Sequence, residues 1–489
     1  MKNLLIKAFL LLGLVAIAPA CTDDFDEINT NPNAPVGVPA SLLLPRIQAA
    51  MVGTVLGEAW GIGNIVIQQT AKNQFVNEDR YLWGEINSIW NAVYGNARDL
   101  KAVIDLAEEN GENNYKGMAL VLKSWMFSLA TDAYGDVPYS EATQAKEGIN
   151  LPKYDTQEEI YNGILADLAE ANNLLGSTGE VIAGDLIYGG DIAKWKRLAN
   201  SLRIRYLMRI SNKRSVGAEI AAIVNNPAQT PIFTSDAESA IYRYRSAAPD
   251  QFPLHTARIG SFNEFRASKT MVDQLKAYND PRLTVFFRPT PATEGTATPE
   301  YVGLPNGLND VDALEFNGGP QFQSRISALF FENAVSNEGL AIAKGVVMTY
   351  AELQFLLAEA AERGLISGDA AAYYQAGIAG SFAYYGQSVP AGYLAQPGVA
   401  YTGAQAEKLE KIGIQKWISL FYQGMEAWFD WRRTGFPRIL PGPSNQNDDR
   451  IPVRFIYPII EQALNASNRA EAVTRQGEDD INTKMWYLK

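Results

Sequence analysis

Apolar positions recur at helical spacing over roughly 41–57, 83–109, 115–131, 156–175, 191–211, 347–363 and 403–430, and few segments alternate as strands do. Thr156 with Glu159 and Thr349 with Glu352 fit the capping box, in which side chains satisfy the first unpaired backbone donors of a helix. Behind the first box, Ile160, Ile164, Leu168, Ala171 and Leu175 form one apolar stripe, and Gly176 follows as a stop. Met118 to Ala130 is apolar on every side, which predicts a helix buried among others. Helices joined by short Gly, Pro and Asp turns predict a mainly α fold of stacked, tetratricopeptide-like antiparallel pairs, although no clean repeat of that length recurs.

Residues 225–345 differ in texture and read as a loop-rich insertion in a single helical domain spanning 40–489. Phe286 to Gln323 scatters Pro, Gly, Thr and Asn among Phe287, Tyr301, Phe316 and Phe322, and a second such stretch from Tyr384 to Gly403 holds Tyr384, Tyr385, Tyr393 and Tyr401. Long loops inside a domain are usually functional. The expected picture is a helical scaffold that displays aromatic loops.

Composition narrows the chemistry. The 489 residues are 47% hydrophobic and 20% charged, ample for a core. One histidine, His255, and one cysteine, Cys21, exclude Cys/His zinc sites and a disulfide framework, and no cofactor or metal is assigned. A net charge of -12 argues against nucleic acid as a partner.

Lys2 and Lys7, the apolar run Ala8 to Ala18 and the small residues Ala18-Pro19-Ala20 read as a signal peptide over 1–20. Cys21 then resembles the lipidated cysteine of a bacterial lipobox, followed by a Pro- and Asn-rich linker over 21–39. Cleavage would remove two lysines and no acids, leaving 40 basic against 54 acidic residues. The acidic run Asp23-Asp24-Phe25-Asp26-Glu27 resembles the surface-export signal of Bacteroidetes lipoproteins.

Four blocks resemble the SusD/RagB nutrient-binding outer-membrane lipoproteins: Tyr115 to Ala142, Gly184 to Arg209, Met348 to Ala360 and Tyr422 to Leu440. The resemblance implies a helical, tetratricopeptide-like spine, anchored by lipid in the outer membrane and facing the exterior. It also implies a SusC-like TonB-dependent transporter as partner, over which the protein captures an oligosaccharide or a peptide for import. Family members share their scaffold far more than their ligand contacts.

A sugar offers an apolar face that packs on an aromatic ring and hydroxyls that need fixed polar partners. Gln74 to Trp83 mixes both kinds of group just before a long helix, in the loop where the resemblance implies part of a binding surface, so Phe75, Asn77, Tyr81 and Trp83 are the first candidates. Tyr301, Phe316 and Phe322 are candidates to complete the platform. Trp83 has a competing role as a core staple.

Glu426 and Asp430 share a helix face and raise the alternative of a surface glycan hydrolase, which needs two carboxylates about 5–10 Å apart. Arg432 and Arg433 beside them favour structural ion pairs, and no catalytic residue is assigned. A third reading is a scaffold that binds only proteins. Arg197, Arg203, Arg205 and Arg209 read as a solvated or salt-bridged face, Asn309 to Glu315 lacks the spacing of a calcium loop, and His255 reads as a hydrogen-bonded loop histidine.

Overall fold

The computed structural model describes residues 38–257 and 261–489. The expected signal peptide, Cys21 and all but the last two linker residues therefore lie outside the described residues. Ala40–Lys489 is one compact unit.

Long apolar stripes need partners, and here they find them mostly in chain order. The principal helices are α1 (Ala40–Glu58), α2 (Ser88–Asn110), α3 (Asn113–Tyr134), α4 (Gln157–Leu174), α5 (Ile192–Arg209), α6 (Tyr350–Glu362), α7 (Ala370–Tyr384), α8 (Gln405–Ser419) and α9 (Glu426–Thr434). Each of α1 to α6 packs on the next, α6 also packs on α7 and α8, and α8 packs on α9, which is the expected tetratricopeptide-like stack. All five residues of the α4 stripe are buried, and Met118 to Ala130 is buried on nearly every side. Four short strands, β1 (Thr70–Lys72), β2 (Ala240–Tyr242), β3 (Phe265–Ala267) and β4 (Gly345–Met348), pair antiparallel as β1 with β3 and β2 with β4.

The Thr156 capping box closes in both directions: the Thr156 amide donates to Glu159 at 2.8 Å and the Glu159 amide to the Thr156 hydroxyl at 3.2 Å. Thr349 makes only half of its box. It accepts from the Glu352 amide at 3.2 Å, but the Glu352 carboxylate accepts instead from Arg205 Nε at 2.6 Å. The helix expected over 403–430 is two helices. Between α8 and α9 the backbone passes through Tyr422 at φ 55° and Gly424 at φ 74°, and a Cβ on Gly424 would stand 2.4 Å from Val55 Cγ1 of α1. Close approach to α1 breaks the periodic run there.

Ion pairs knit the middle of the spine. Arg205 holds Glu352, Arg209 holds Asp132 at 3.2 Å and also Glu426, and Arg433 holds Glu359 at 2.6 Å and Asp430 at 2.9 Å. Lys416 completes the set at 2.8 Å from Asp430. Burial pushes the Asp430 carboxyl up, but Lys416 and then Arg433 hold it well below its ordinary range. Glu426 and Asp430 thus have structural partners, and of the two alternatives for the arginine face Arg205 and Arg209 take the salt-bridged one, in buried pairs.

The Tyr384 to Gly403 loop is fastened inward. Tyr393 donates to Asp280 at 2.6 Å, Tyr385 to the Phe421 carbonyl at 2.7 Å and Tyr401 to Glu362 at 2.6 Å. His255 is buried too, but in the short helix Pro253–Ala257 rather than in a loop, with Nδ1 2.7 Å from the Phe331 carbonyl.

Removing one partner of a buried ion pair leaves an uncompensated charge and costs about 3–5 kcal/mol. Glu352→Ala is expected to lower unfolding free energy by that amount in urea denaturation, since Glu352 is the one carboxylate on Arg205. A loss below about 1 kcal/mol, the scale of an exposed pair, would contradict the buried network.

Candidate functional site

The β1–β3 ribbon is the footing of the aromatic loops. Thr70 pairs with Ala267, Ala71 with Arg266 and Lys72 with Phe265, so residues 73–83 leave β1 directly over the segments that flank β3. Leu304 donates to the Ala267 carbonyl at 2.8 Å and Ser324 to the Val302 carbonyl at 2.9 Å, which brings the second loop alongside. A small apolar cluster of Ala71, Val76, Leu304 and Ala313, with Leu308 and Phe316 packed on it, seals the two loops together.

The polar half of this junction centres on Asp79 and Asn306, both buried. Asn306 Nδ2 donates to Asp79 Oδ1 at 2.7 Å and to the Thr70 carbonyl at 2.8 Å, while Ser268 donates to Asn306 Oδ1 at 2.6 Å. The Lys72 amide donates to the other Asp79 oxygen at 3.2 Å. Gln323 accepts from Asn73 at 3.2 Å and donates to the Ala313 carbonyl at 2.9 Å. Burial pushes the Asp79 carboxyl up to about 7, against the lowering pull of Asn306, the backbone amides and Lys72.

A third loop, 440–450, joins them. Arg80 Nε donates to the Ser444 carbonyl at 2.7 Å, the Gln446 amide to the Arg80 carbonyl at 2.7 Å and Gln68 Nε2 to the Leu440 carbonyl at 2.7 Å. Gly307 and Gly442 pass so closely that a Cβ on Gly442 would lie 1.9 Å from the Asn306 carbonyl oxygen. Left-handed backbone gathers in these loops: Gln68, Phe75, Tyr81, Asn317, Asp448 and Asp449 all have φ between 50° and 63°. Such strain persists only where the surroundings over-determine it, and it concentrates at binding sites.

The expected site residues divide by exposure. Phe75, at φ 51°, presents its ring to solvent with 69% of the residue exposed, and Asn77 beside it is exposed as well. Phe322 is 40% exposed, its ring lying against Gly318, while Asn317 Nδ2 donates to the Phe322 carbonyl at 3.2 Å. Phe316 is half-buried at the edge of the sealing cluster, and Tyr301 at the edge of a second hydrophobic core that includes Phe265, Phe286, Phe330 and Phe421.

Tyr81 and Trp83 do not join that surface. Tyr81 is buried, its hydroxyl paired with Gln68, so no ring face is open to a ligand. Trp83 packs edge-on against Trp428 at 5.9 Å and Phe455 at 5.7 Å and donates to the Glu78 carbonyl at 2.9 Å. It is the staple that ties the loop to the spine. The hub residues Asp79, Asn306 and Gln323 and the third loop carried no periodic pattern; the turn-rich Pro441 to Asp449 was the one available sign.

A groove of about 260 Å³ between α2, α3 and the 139–144 turn is one concave rival. Its rings are already engaged: Phe127 meets Tyr139 edge-on at 5.0 Å, and the Lys123 ammonium lies 5.0 Å over the Tyr139 ring. Asn309 caps the short helix Asp310–Glu315, its side chain accepting from the Asp312 amide at 2.9 Å, and among the described residues no group of three or more His, Cys, Asp or Glu is placed to hold a metal.

A SusD-like family model, described as starch-binding associating with outer membrane, matches residues 32–458. A SusD homologue from Bacteroides fragilis shares the fold with a TM-score of 0.80 at 28% identity, over 92% of this chain and 100% of that one. A protein described as chitin-binding matches with a TM-score of 0.77 at 29% identity, over 92% and 100% of the two chains. A chitin-binding SusD homologue from Flavobacterium johnsoniae matches with a TM-score of 0.76 at 25% identity, over 91% and 98%. No curated protein matches the chain in sequence.

The Asp79 hub sets a pH dependence with a definite sign. Its folded pKa of about 7 lies above the ordinary 3.8, so between those values the folded state holds a proton that the unfolded chain releases. Stability contributed by Asp79 is therefore present below about pH 4 and lost as pH rises to about 7, at no more than roughly 1.4 kcal/mol per pH unit. Asp79→Asn is expected to flatten this slope when denaturation is compared from pH 4 to 8. Parallel profiles for the two proteins would place the Asp79 pKa near its ordinary value.

Proposed function

The chain belongs to the SusD-like family of starch-binding proteins that associate with the outer membrane, and from that premise we propose that it is a lipid-anchored surface receptor. It captures an oligomeric nutrient, a glycan before a peptide, on its aromatic loops and delivers it to a SusC-like TonB-dependent transporter without chemical change. The observation that carries this reading is the exposure of Phe75 and Phe322 on strained loops pinned by a buried polar hub. Exposed rings held rigidly lose little entropy when a sugar face packs on them. Asn77, Phe316 and Tyr301 flank them as polar and partly apolar neighbours. Two relatives described as chitin-binding support a glycan before a peptide as the ligand. Glu426 and Asp430 support the non-enzymatic reading, because each is already paired with arginine.

Calorimetric titration of the full-length chain in detergent, with chito-, gluco- and peptide oligomers and recovery of each ligand afterwards, tests this reading. Binding with intact ligand is expected. Phe75→Ala should weaken it about tenfold, the 1.4 kcal/mol scale of a lost aromatic anchor, without lowering the melting temperature. Trp83→Ala should instead cost about 3 kcal/mol of stability, as truncation of a packed tryptophan does. Unchanged affinity in a folded Phe75→Ala variant would remove the platform, and a degraded ligand would move the reading to a hydrolase.

Anchoring has its own test, because Cys21 is the sole cysteine. Cys21→Ser is expected to release the protein into the soluble fraction of cells, and continued membrane association would refute lipid anchoring at that position.

A further inference from the structure

Six arginines are buried among the described residues: Arg205, Arg209, Arg266, Arg282, Arg433 and Arg454. Five hold a carboxylate. Beyond the spine pairs, Arg282 holds Asp280 at 2.6 Å and Arg454 holds Asp479 at 3.0 Å. Arg266 holds none. It is 5% exposed, its Nη1 donates to the carbonyls of Asn263 and Phe265, the latter at 2.8 Å, and its Nε has no partner. The charged group that acts on it most is another cation, Arg325, so that burial first and Arg325 second pull the Arg266 guanidinium down to about 10. A buried guanidinium without a counter-charge is costly, and the other five arginines of this buried set each hold a carboxylate.

Its position gives the exception a purpose. In the β1–β3 ribbon Arg266 lies directly opposite Ala71, so the two side chains rise from the same face. Ala71 belongs to the small cluster that Phe316 and Val76 share, on the side of the ribbon that carries the aromatic loops. Phe265 and Ala267, on the other face, belong to the second core. Arg325, three residues after Phe322, is a quarter exposed, and its one ion pair among the described residues is with Glu294 at 3.2 Å, a carboxylate that Arg288 also holds at 2.7 Å. The Ala267 amide donates to the Ser324 carbonyl at 2.9 Å, which makes Arg266 and Arg325 neighbours on adjacent segments at the root of the aromatic loops, and Glu294 and Glu332 leave Arg266, Arg288 and Arg325 with one positive charge in excess.

We propose that the nutrient is an acidic saccharide, whose carboxylate or sulfate group is taken by Arg266 and Arg325 while its ring packs on Phe75 and Phe322. This deepens the receptor reading and rests on it. Guanidinium forks match planar carboxylates and the oxygens of sulfate, and the bonds they form are charge-assisted.

Matched probes separate the two claims. The full-length chain in detergent is titrated with oligogalacturonides as free acids and as methyl esters of the same length, and with dextran sulfate against dextran. The free acid, the sulfate or both are expected to bind at least tenfold tighter than the neutral partner, and which pair shows the preference identifies the anion. Arg266→Met should bring that ratio close to one while leaving the melting temperature of the free protein unchanged or higher, because an unpaired buried charge is replaced by an apolar chain of similar volume. Arg325→Gln, partly exposed and safe for folding, should lower the ratio at least threefold. Equal or better binding of the neutral partners would overturn the acidic assignment and leave the receptor reading intact. An acidic preference that survives both substitutions, or a fall of several degrees in the Arg266→Met melting temperature, would make Arg266 structural and overturn its assignment. Binding of none of these saccharides, nor of any neutral oligomer, would overturn both readings.

Discussion

Uncompensated charge inside a protein is the constraint on which this architecture turns. The interior faces of α3, α5, α6, α8 and α9 carry Asp132, Arg205, Arg209, Glu352, Glu359, Lys416, Glu426, Asp430 and Arg433, and each is tolerated only because its partner comes from another helix or another turn. The pairs link residues up to 217 positions apart, as Arg209 to Glu426. A helix that slipped along its axis would strand several charges at once, so the network fixes the stacking as apolar stripes alone do not. Arg432, among these pairs, is neutralised differently: its guanidinium lies 4.3 Å over Trp428 and 4.6 Å over Phe429 and donates to the Val453 carbonyl at 2.6 Å.

A spine so fixed lets loops be rigid without helical structure of their own. The Asp79–Asn306 hub, the Gly307–Gly442 crossing and the Trp83 staple hold three loops in one arrangement, and the left-handed residues among them show what that arrangement costs locally. An aromatic surface held in this way would need no folding step to meet a ligand. Exposure of Phe75 in such a setting is informative in a way that a surface phenylalanine on a pliant loop is not.

Periodicity made the scaffold legible and left the site half-read. The α4 stripe, its capping box and its stop are local patterns, and local patterns survive into the structure. The Tyr422 to Gly424 break went unread because its cause, the approach of α1, lies more than 360 residues away in sequence. Within one ten-residue segment, the position of Trp83 at the helix start raises the staple role without deciding it; only the partners Trp428 and Phe455 separate display from fastening. Arg266 was invisible for the same reason. What marks it is the absence of a carboxylate that all five of its buried counterparts have, and that contrast exists only after the chain has folded.

The chain's overall charge bears on how such a site must work. At a net -12 the protein repels an acidic polymer at long range, yet that field is screened beyond about 8 Å at physiological salt. A guanidinium pair inside such a face would act below that distance, where screening is weak and desolvation strengthens each bond. Capture of an acidic saccharide would then be governed by how long a docked chain stays rather than by how fast it arrives. The aromatic rings, indifferent to ionic strength, would supply the part of the affinity common to neutral and acidic sugars, and Arg266 the discrimination between them.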